Sequence, residues 1–168
     1  TALYGLGWIP VVWAEITNTE THKHATAPVY DEDNKQFVYP AVARAITVLK
    51  SESCTAIDKA ASNASARYIT DGVGQEMRYL AKQAEVAAYL AADSPQIADY
   101  PILKAEADAM GETDYAAYAK IIADIAAAWS AAAASIEAAR ISGKAAVNGA
   151  ETNEDVITVR GIAIAALE

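Results

Sequence analysis

The chain has 168 residues, a formal charge of −9 and a pI near 4.7. This length suits one domain with a real core, or a small domain that carries a helical stalk. The 13 basic residues form no cluster in the sequence, which argues against a nucleic-acid partner because phosphate binding needs grouped Lys and Arg. The single cysteine, Cys54, excludes an intramolecular disulfide framework.

The first 49 residues differ from the rest and predict a small β-rich N-terminal region. They hold two of the three Trp, three of the five Pro and both His. Residues 8–13 read as a short extended segment in which Pro10 favours a sheet edge or a position without a ladder hydrogen bond, since proline cannot donate to a ladder. Residues 25–30 and 36–43 flank a polar turn at 31–35, a pattern that predicts a β-hairpin.

Residues 50–168 predict a second domain that is helical and rich in alanine, the residue type that makes up roughly a quarter of the whole chain. Two glycines at 72 and 74 predict a break, Pro101 and Gly111 bracket a short helix, and Thr113 is the expected cap of a long one. Thr152 begins a sequence that resembles a capping box. The predicted helices cover about 51–70, 74–92, 101–110, 113–147 and 153–168. The predicted fold class is mainly α, with the β-rich region followed by a helical hairpin or bundle packed as in coiled coils.

The longest predicted helix carries the strongest pattern in the chain. Its large apolar residues alternate at spacings of three and four, so that they occupy heptad positions a and d without a charged intrusion. This pattern predicts a packing seam or interface with another helix of the same chain or of a neighbour. The seam residues are Tyr115, Tyr118, Ile122, Ile125, Trp129, Ala132, Ile136, Ala139, Gly143 and Ala146. A second apolar face is expected on the helix at 74–92, at Met77, Leu80, Ala84, Ala87 and Ala91.

Residue chemistry predicts no catalytic, cofactor or metal site. His22 and His24 share one side of a strand, as some metal ligands do, but no third ligand has a suitable spacing, so two surface histidines are the favoured interpretation. The acidic turn at 31–35 lacks the glycine and the glutamate of a calcium loop. The segment Ile125–Ala134 is too short and too rich in alanine to span a bilayer, which predicts no membrane insertion.

Several motifs, taken in order, resemble the tail-fibre-associated and tail-assembly proteins of tailed bacteriophages. These are Gly7–Val12, Thr19–Lys23 followed by a hairpin, Cys54 with Ile57, Asp71–Gly74, Tyr79 with Leu80, and the alanine-rich helix. The C-terminal half is similar to an uncharacterised α-helical domain that recurs in those proteins.

This resemblance implies a non-enzymatic structural component of a phage tail, in the fibre, baseplate or tail tip. Its expected partners are other phage tail proteins and further copies of itself, because fibres are commonly symmetric oligomers. Its expected location is the virion tail, after assembly in the host cytoplasm. The alternative is a tail-fibre assembly chaperone that the mature particle does not retain.

Overall fold

The computed structural model describes residues 7–68 and 74–168, apart from the side chain of Glu76. In this described part, five short strands precede five helices, and the predicted fold class, mainly α with a small β-rich N-terminal region, is confirmed. The strands are β1 (Val11–Trp13), β2 (His22–His24), β3 (Val29–Asp31), β4 (Gln36–Tyr39) and β5 (Ala41–Ala43). The helices are α1 (Ile46–Ala66), α2 (Gln75–Ala91), α3 (Pro101–Met110), α4 (Tyr115–Gly149) and α5 (Asn153–Ala165), and one 3-10 turn at Ile97–Asp99 lies between α2 and α3.

The strands form two small sheets. In the first, the strand order is β1-β4-β3, with β1 parallel and β3 antiparallel to β4; in the second, β2 pairs with β5 in antiparallel fashion. The predicted hairpin is therefore confirmed as β3 and β4, and the Asp31 carboxylate accepts backbone N–H groups of Asp33 and Asn34 in its turn. The edge position of β1 agrees with Pro10, whose carbonyl accepts a hydrogen bond from the Phe37 N–H at 2.8 Å.

Local signals explain several helix ends. Pro101 occupies the first turn of α3, and Gly111, at a φ of 76°, ends it in the left-handed conformation that glycine tolerates. Thr152 caps α5 by accepting the Asp155 N–H at 3.1 Å. The expected cap of α4 at Thr113 is wrong, because the Asp114 carboxylate accepts the Ala117 N–H at 3.0 Å and so caps the helix. The break expected at residues 71–74 falls mostly outside the described residues; Gly74 immediately precedes α2.

The chain divides into two compact units that do not follow the expected boundary at residue 49. Unit 1 contains the described residues of Thr1–Lys59 together with Arg140–Ala166 and Glu168, and unit 2 contains Ala60–Ala139 and Leu167. The division therefore falls within α1 and α4, each of which supplies residues to both units. All five strands lie in unit 1.

Unit 1 packs α1, α4 and α5 closely through a glycine. A Cβ atom built on Gly143 would lie 2.5 Å from the Cβ of Ala163 and 3.5 Å from the Cδ1 of Ile57. The absence of a side chain at Gly143 thus permits close approach of α4 and α5. The largest fully buried apolar side chains of this unit are Leu49, Ile57, Val147 and Val156.

Unit 2 is centred on one apolar cluster from α2, α3 and α4. Its buried members are Val86, Tyr89, Leu103, Ala119 and Ile122. The Glu85 carboxylate of α2 accepts the backbone N–H groups of Ile102 and Leu103 at 2.8 and 2.9 Å, so it satisfies the first turn of α3 from another helix. The apolar face predicted for the helix at 74–92 was wrong. Met77 and Leu80 of α2 are exposed, whereas Val86 and Tyr89 are buried.

Candidate interaction surfaces

The predicted seam of α4 is covered over only part of its length. Ile122 is buried in the unit 2 cluster, and Tyr115 and Tyr118 pack against it. Trp129 is half-buried, with its ring centroid 5.5 Å from that of Tyr68, and Ile136 is also half-buried. Ile125, in contrast, is 66% exposed, so the expectation that it packs is not met within this chain.

The buried and half-buried side chains of α4 form a stripe that is rotated about the helix axis relative to the predicted seam. The most deeply buried side chains of α4 are Ala119 and Val147. They lie four residues after the seam positions Tyr115 and Gly143, whereas the heptad pattern places the next seam residue only three positions later. One residue turns a helix by about 100°, so steps of three and four residues land on opposite sides of the starting residue. Ala126 consequently takes the half-buried position that the seam assigned to Ile125.

One flank of the α4 stripe exposes two isoleucines, next to the exposed ion pair of Lys120 and Asp124. Ile121 is exposed together with Ile125. The hydroxyls of Ser130 and Ser135 donate to the carbonyls of Ala126 and Ala131 in their own helix, at 2.9 and 3.2 Å. We call Ile121, Ile125 and the alanines beside them the bare face of α4.

By length and composition alone, α4 could cross a bilayer, and only 6% of its most apolar window is buried. Core helices of proteins that never enter a membrane can have the same length and composition, but they are mostly buried. The expectation of no membrane insertion remains a prediction.

A second uncovered surface lies on the first sheet of unit 1, and the sequence analysis did not identify it. The rings of Trp13 and Tyr39 stack with centroids 4.1 Å apart and planes 10° apart. Tyr30 packs at 5.2 Å on Phe37, its partner across the β3–β4 pair. Trp13 is nonetheless 60% exposed, and Val11 on the same strand is also exposed. We call Val11, Trp13, Tyr30, Phe37 and Tyr39 the aromatic face; the alternation of Val11 with Trp13 and of Phe37 with Tyr39 is the signal that could have predicted it.

The two histidines serve local structure. His22 Nδ1 lies 2.9 Å from the Thr21 hydroxyl, and His24 Nε2 lies 2.8 Å from the carbonyl oxygen of Ala14. The His24 ring also meets the edge of Trp13 at 4.9 Å. Across the described residues, no three His, Cys, Asp or Glu side chains converge in a way that could hold a metal ion.

Unit 2 has an open cleft of about 480 Å³ between α2 and α3. Its charged walls are largely paired, because Lys82 lies 2.8 Å from Glu106 and Tyr118 donates its hydroxyl to the same carboxylate at 3.1 Å. Burial, and then this bond to Glu106, raise the pKa of Tyr118. The lining residues are Gln75, Arg78, Tyr79, Lys82, Ile102 and Glu106.

Comparison with known proteins identifies no relative. No protein-family model matches the chain, and neither a curated protein nor a solved structure is similar to it at a significant level.

Proposed function

We propose that this protein is a non-enzymatic structural component of a phage tail, associated with the fibre, baseplate or tail tip, and that it works through protein–protein assembly. Other tail proteins and further copies of the chain are its proposed partners. The proposal rests on the resemblance of the sequence motifs and on the uncovered apolar surfaces of the chain.

The bare face of α4 is the observation that carries the assembly role. Two isoleucines one helical turn apart, Ile121 and Ile125, are exposed beside alanines, with one exposed ion pair at their edge. An exposed apolar surface of this kind is unfavourable in water and is typical of surfaces that bind another protein. Small residues let a partner helix approach closely, which favours a helical partner at this face.

The polar side chains support the same proposal. His22, His24, Lys82 and Glu106 are engaged in bonds that hold the fold together. Such bonds suit a protein whose task is to keep a fixed shape and present surfaces to its neighbours.

Mass spectrometry of purified tail particles tests the tail assignment. We expect abundant peptides of this chain in mature particles. Peptides in assembly intermediates that disappear from mature particles would instead support the assembly chaperone, and absence from both would contradict the tail proposal.

A pair of matched variants tests the bare face. Ile125→Glu places a charge on it, whereas Ile162→Glu makes the same change at an isoleucine of α5 that is also 66% exposed. The mass of one chain is 17.7 kDa. Light scattering after size exclusion is expected to give larger masses for the wild type and for Ile162→Glu, and a smaller mass for Ile125→Glu than for either. Equal masses for both variants would contradict a role of the bare face in self-association.

Flotation with liposomes separates protein assembly from membrane binding. We expect the purified chain to remain with the soluble fraction. Flotation of the wild type that Ile125→Glu abolishes would assign the bare face to lipid and overturn its assignment to a protein partner.

A further inference from the structure

The aromatic face lies between two groups of acidic side chains. Glu15 follows Trp13 by two residues, and exposure alternates from Val11 through Trp13 to Glu15, which puts Glu15 on the aromatic side of β1. Glu32 and Asp33 lie in the turn that joins β3 to β4. Because β1 runs parallel to β4, Glu15 and this turn lie beyond opposite ends of the face.

In the part of the chain that the structure describes, these carboxylates have no ion-pair partner. Within residues 7–68 and 74–168, no Lys, Arg or His side chain forms an ion pair with Glu15, Glu32 or Asp33. Elsewhere in unit 1, Glu20 pairs with Arg160 and Asp58 pairs with Lys144 and Arg140. With Glu20 paired to Arg160, residues 7–43 keep four carboxylates against two lysines, one of which, Lys35, shares the turn with Glu32 and Asp33. The surroundings of the aromatic face therefore carry a net negative charge.

An exposed aromatic ring surrounded by negative charge attracts cations. The face of an indole or phenol ring attracts a guanidinium through its quadrupole, and arginine stacks on such rings more readily than lysine does. Trp13 presents the largest such ring here, held flat against Tyr39. Carboxylates beyond both ends of the face favour a partner with more than one positive charge.

We propose that the aromatic face binds an extended, arginine-rich segment of a partner protein, with guanidinium groups stacked on Trp13 and ion-paired to Glu15, Glu32 and Asp33. At about 3.3 Å per residue, the face and its two acidic ends match roughly six extended residues. This inference rests on the proposed assembly role, for which it names the chemistry of one partner.

Nuclear magnetic resonance on the full chain tests this site directly. The probe is a capped octapeptide of alternating arginine and serine, and the controls replace arginine by lysine or by glutamate. We expect the indole N–H signal of Trp13 to shift with the arginine peptide while that of Trp129 in unit 2 stays unchanged. The lysine peptide should bind about threefold more weakly or worse, and the glutamate peptide should not bind.

Two triple variants of equal net charge separate this site from general attraction to an acidic protein. Glu15→Gln with Glu32→Gln and Asp33→Asn neutralises the ends of the face, and Asp93→Asn with Glu112→Gln and Glu151→Gln neutralises three exposed carboxylates elsewhere. Calorimetry is expected to show about tenfold weaker peptide binding for the first triple and about twofold for the second. Equal weakening by both triples would overturn the proposal.

Trp13→Ala tests the stacking contribution at constant charge. We expect about fivefold weaker binding of the arginine peptide, with the far-ultraviolet circular dichroism of the wild type retained. Unchanged affinity in this variant would also overturn the proposal. A chain that binds the peptide at this face but is absent from tail particles would keep this inference and remove the tail assignment.

Discussion

The two compact units are stabilised in different ways. In unit 1, side chains far apart in sequence make hydrogen bonds and ion pairs: Asn153 donates to the carbonyls of Thr21 and Arg44, and Arg160 lies 2.6 Å from Glu20. In unit 2, five apolar side chains form a buried cluster from three helices. In unit 1, polar bonds attach the three- and four-residue strands to helices that pack on each other, whereas the centre of unit 2 is the apolar cluster.

The physical reason is the size of the elements. Short strands contribute few inward side chains, so they bury little apolar area, and helices from other parts of unit 1 must hold them by hydrogen bonds. Helices of ten or more residues place an apolar stripe against each other and need fewer such bonds. Substitutions in the two units should therefore differ in size.

The largest loss is expected for Leu103→Ala in unit 2. Leu103 is fully buried in the cluster, and its truncation removes apolar contacts and leaves a cavity, which should lower the free energy of unfolding by about 3 kcal/mol. The matched control is Leu80→Ala, at an exposed leucine of α2, where we expect less than about 1 kcal/mol. Urea denaturation measures both, and equal losses would contradict the assignment of Leu103 to the centre of the cluster.

The next largest effect is expected for Gly143→Ala in unit 1. The new Cβ would lie 2.5 Å from that of Ala163, so α4 and α5 must separate, at about 2 kcal/mol. Gly161→Ala is the control, because a Cβ there meets nothing within 4 Å, and it should stabilise α5 by up to about 1 kcal/mol. A Gly143→Ala protein with a melting temperature at or above that of the wild type would show that the helices do not approach this closely.

A smaller loss, about 1–2 kcal/mol, is expected for Asn153→Ala. The variant removes the Nδ2 donor to Thr21 and Arg44 and leaves both carbonyls with one partner fewer. Because these bonds connect the strand region to α5, hydrogen exchange should accelerate near β2 and remain unchanged in α2 and α3. Uniform acceleration across the chain would argue that the two units do not respond separately.

A gain of about 1 kcal/mol is expected for Ser53→Ala. The Ser53 hydroxyl is buried in unit 1 and lacks a hydrogen-bond partner among the described residues. The substitution removes a buried polar atom that has no hydrogen-bond partner in the described part of the chain. It also places alanine, which has a higher helix propensity than serine, in α1. Thermal denaturation beside Ser130→Ala, whose hydroxyl is exposed and bonded, should show the larger gain at Ser53; a loss at Ser53 would indicate a partner for its hydroxyl.

The last expected effect is present near neutral pH and disappears in acid. Hydrogen bonds from Lys144 and then from Arg140 hold the pKa of Asp58 below its ordinary value of 3.8. A carboxyl with a lowered folded pKa stabilises the protein above its unfolded pKa, and this contribution is lost as the pH falls through the folded pKa. We therefore expect Asp58→Asn to be less stable than the wild type near neutral pH, and the difference to close below pH 3.8; a constant difference would contradict the pairing.

Much of the fold could be predicted from short stretches of sequence. The hairpin of β3 and β4, the edge position of β1, the proline and glycine ends of α3 and the threonine cap of α5 depend on residues within a few positions of each other. The cap of α4 was assigned to Thr113 and belongs to Asp114, because two adjacent residues of suitable chemistry compete for one helix end.

The surfaces were harder to predict, because the pattern of one helix does not state which neighbour covers it. On α4, alanine occupies both flanks of the large residues, so the heptad was equally compatible with a stripe through Ile125 or through Ala126. On α2, the same ambiguity made Met77 and Leu80 the predicted packing face, but both side chains are exposed. The aromatic face was missed because its rings come from three strands separated in sequence.

By itself, the amino-acid sequence determined the order of strands and helices, both ends of α3 and the start of α5, since backbone conformation and capping respond to neighbouring residues. The predicted helix at 51–70 was wrong in its bounds, because α1 begins five residues earlier, at Ile46, and ends at Ala66. Only the tertiary structure decided which helix faces are covered, that Glu85 satisfies the start of α3, and that the ends of α1 and α4 belong to different units. Burial and long-range bonds depend on partners brought together by folding, and no local pattern specifies them.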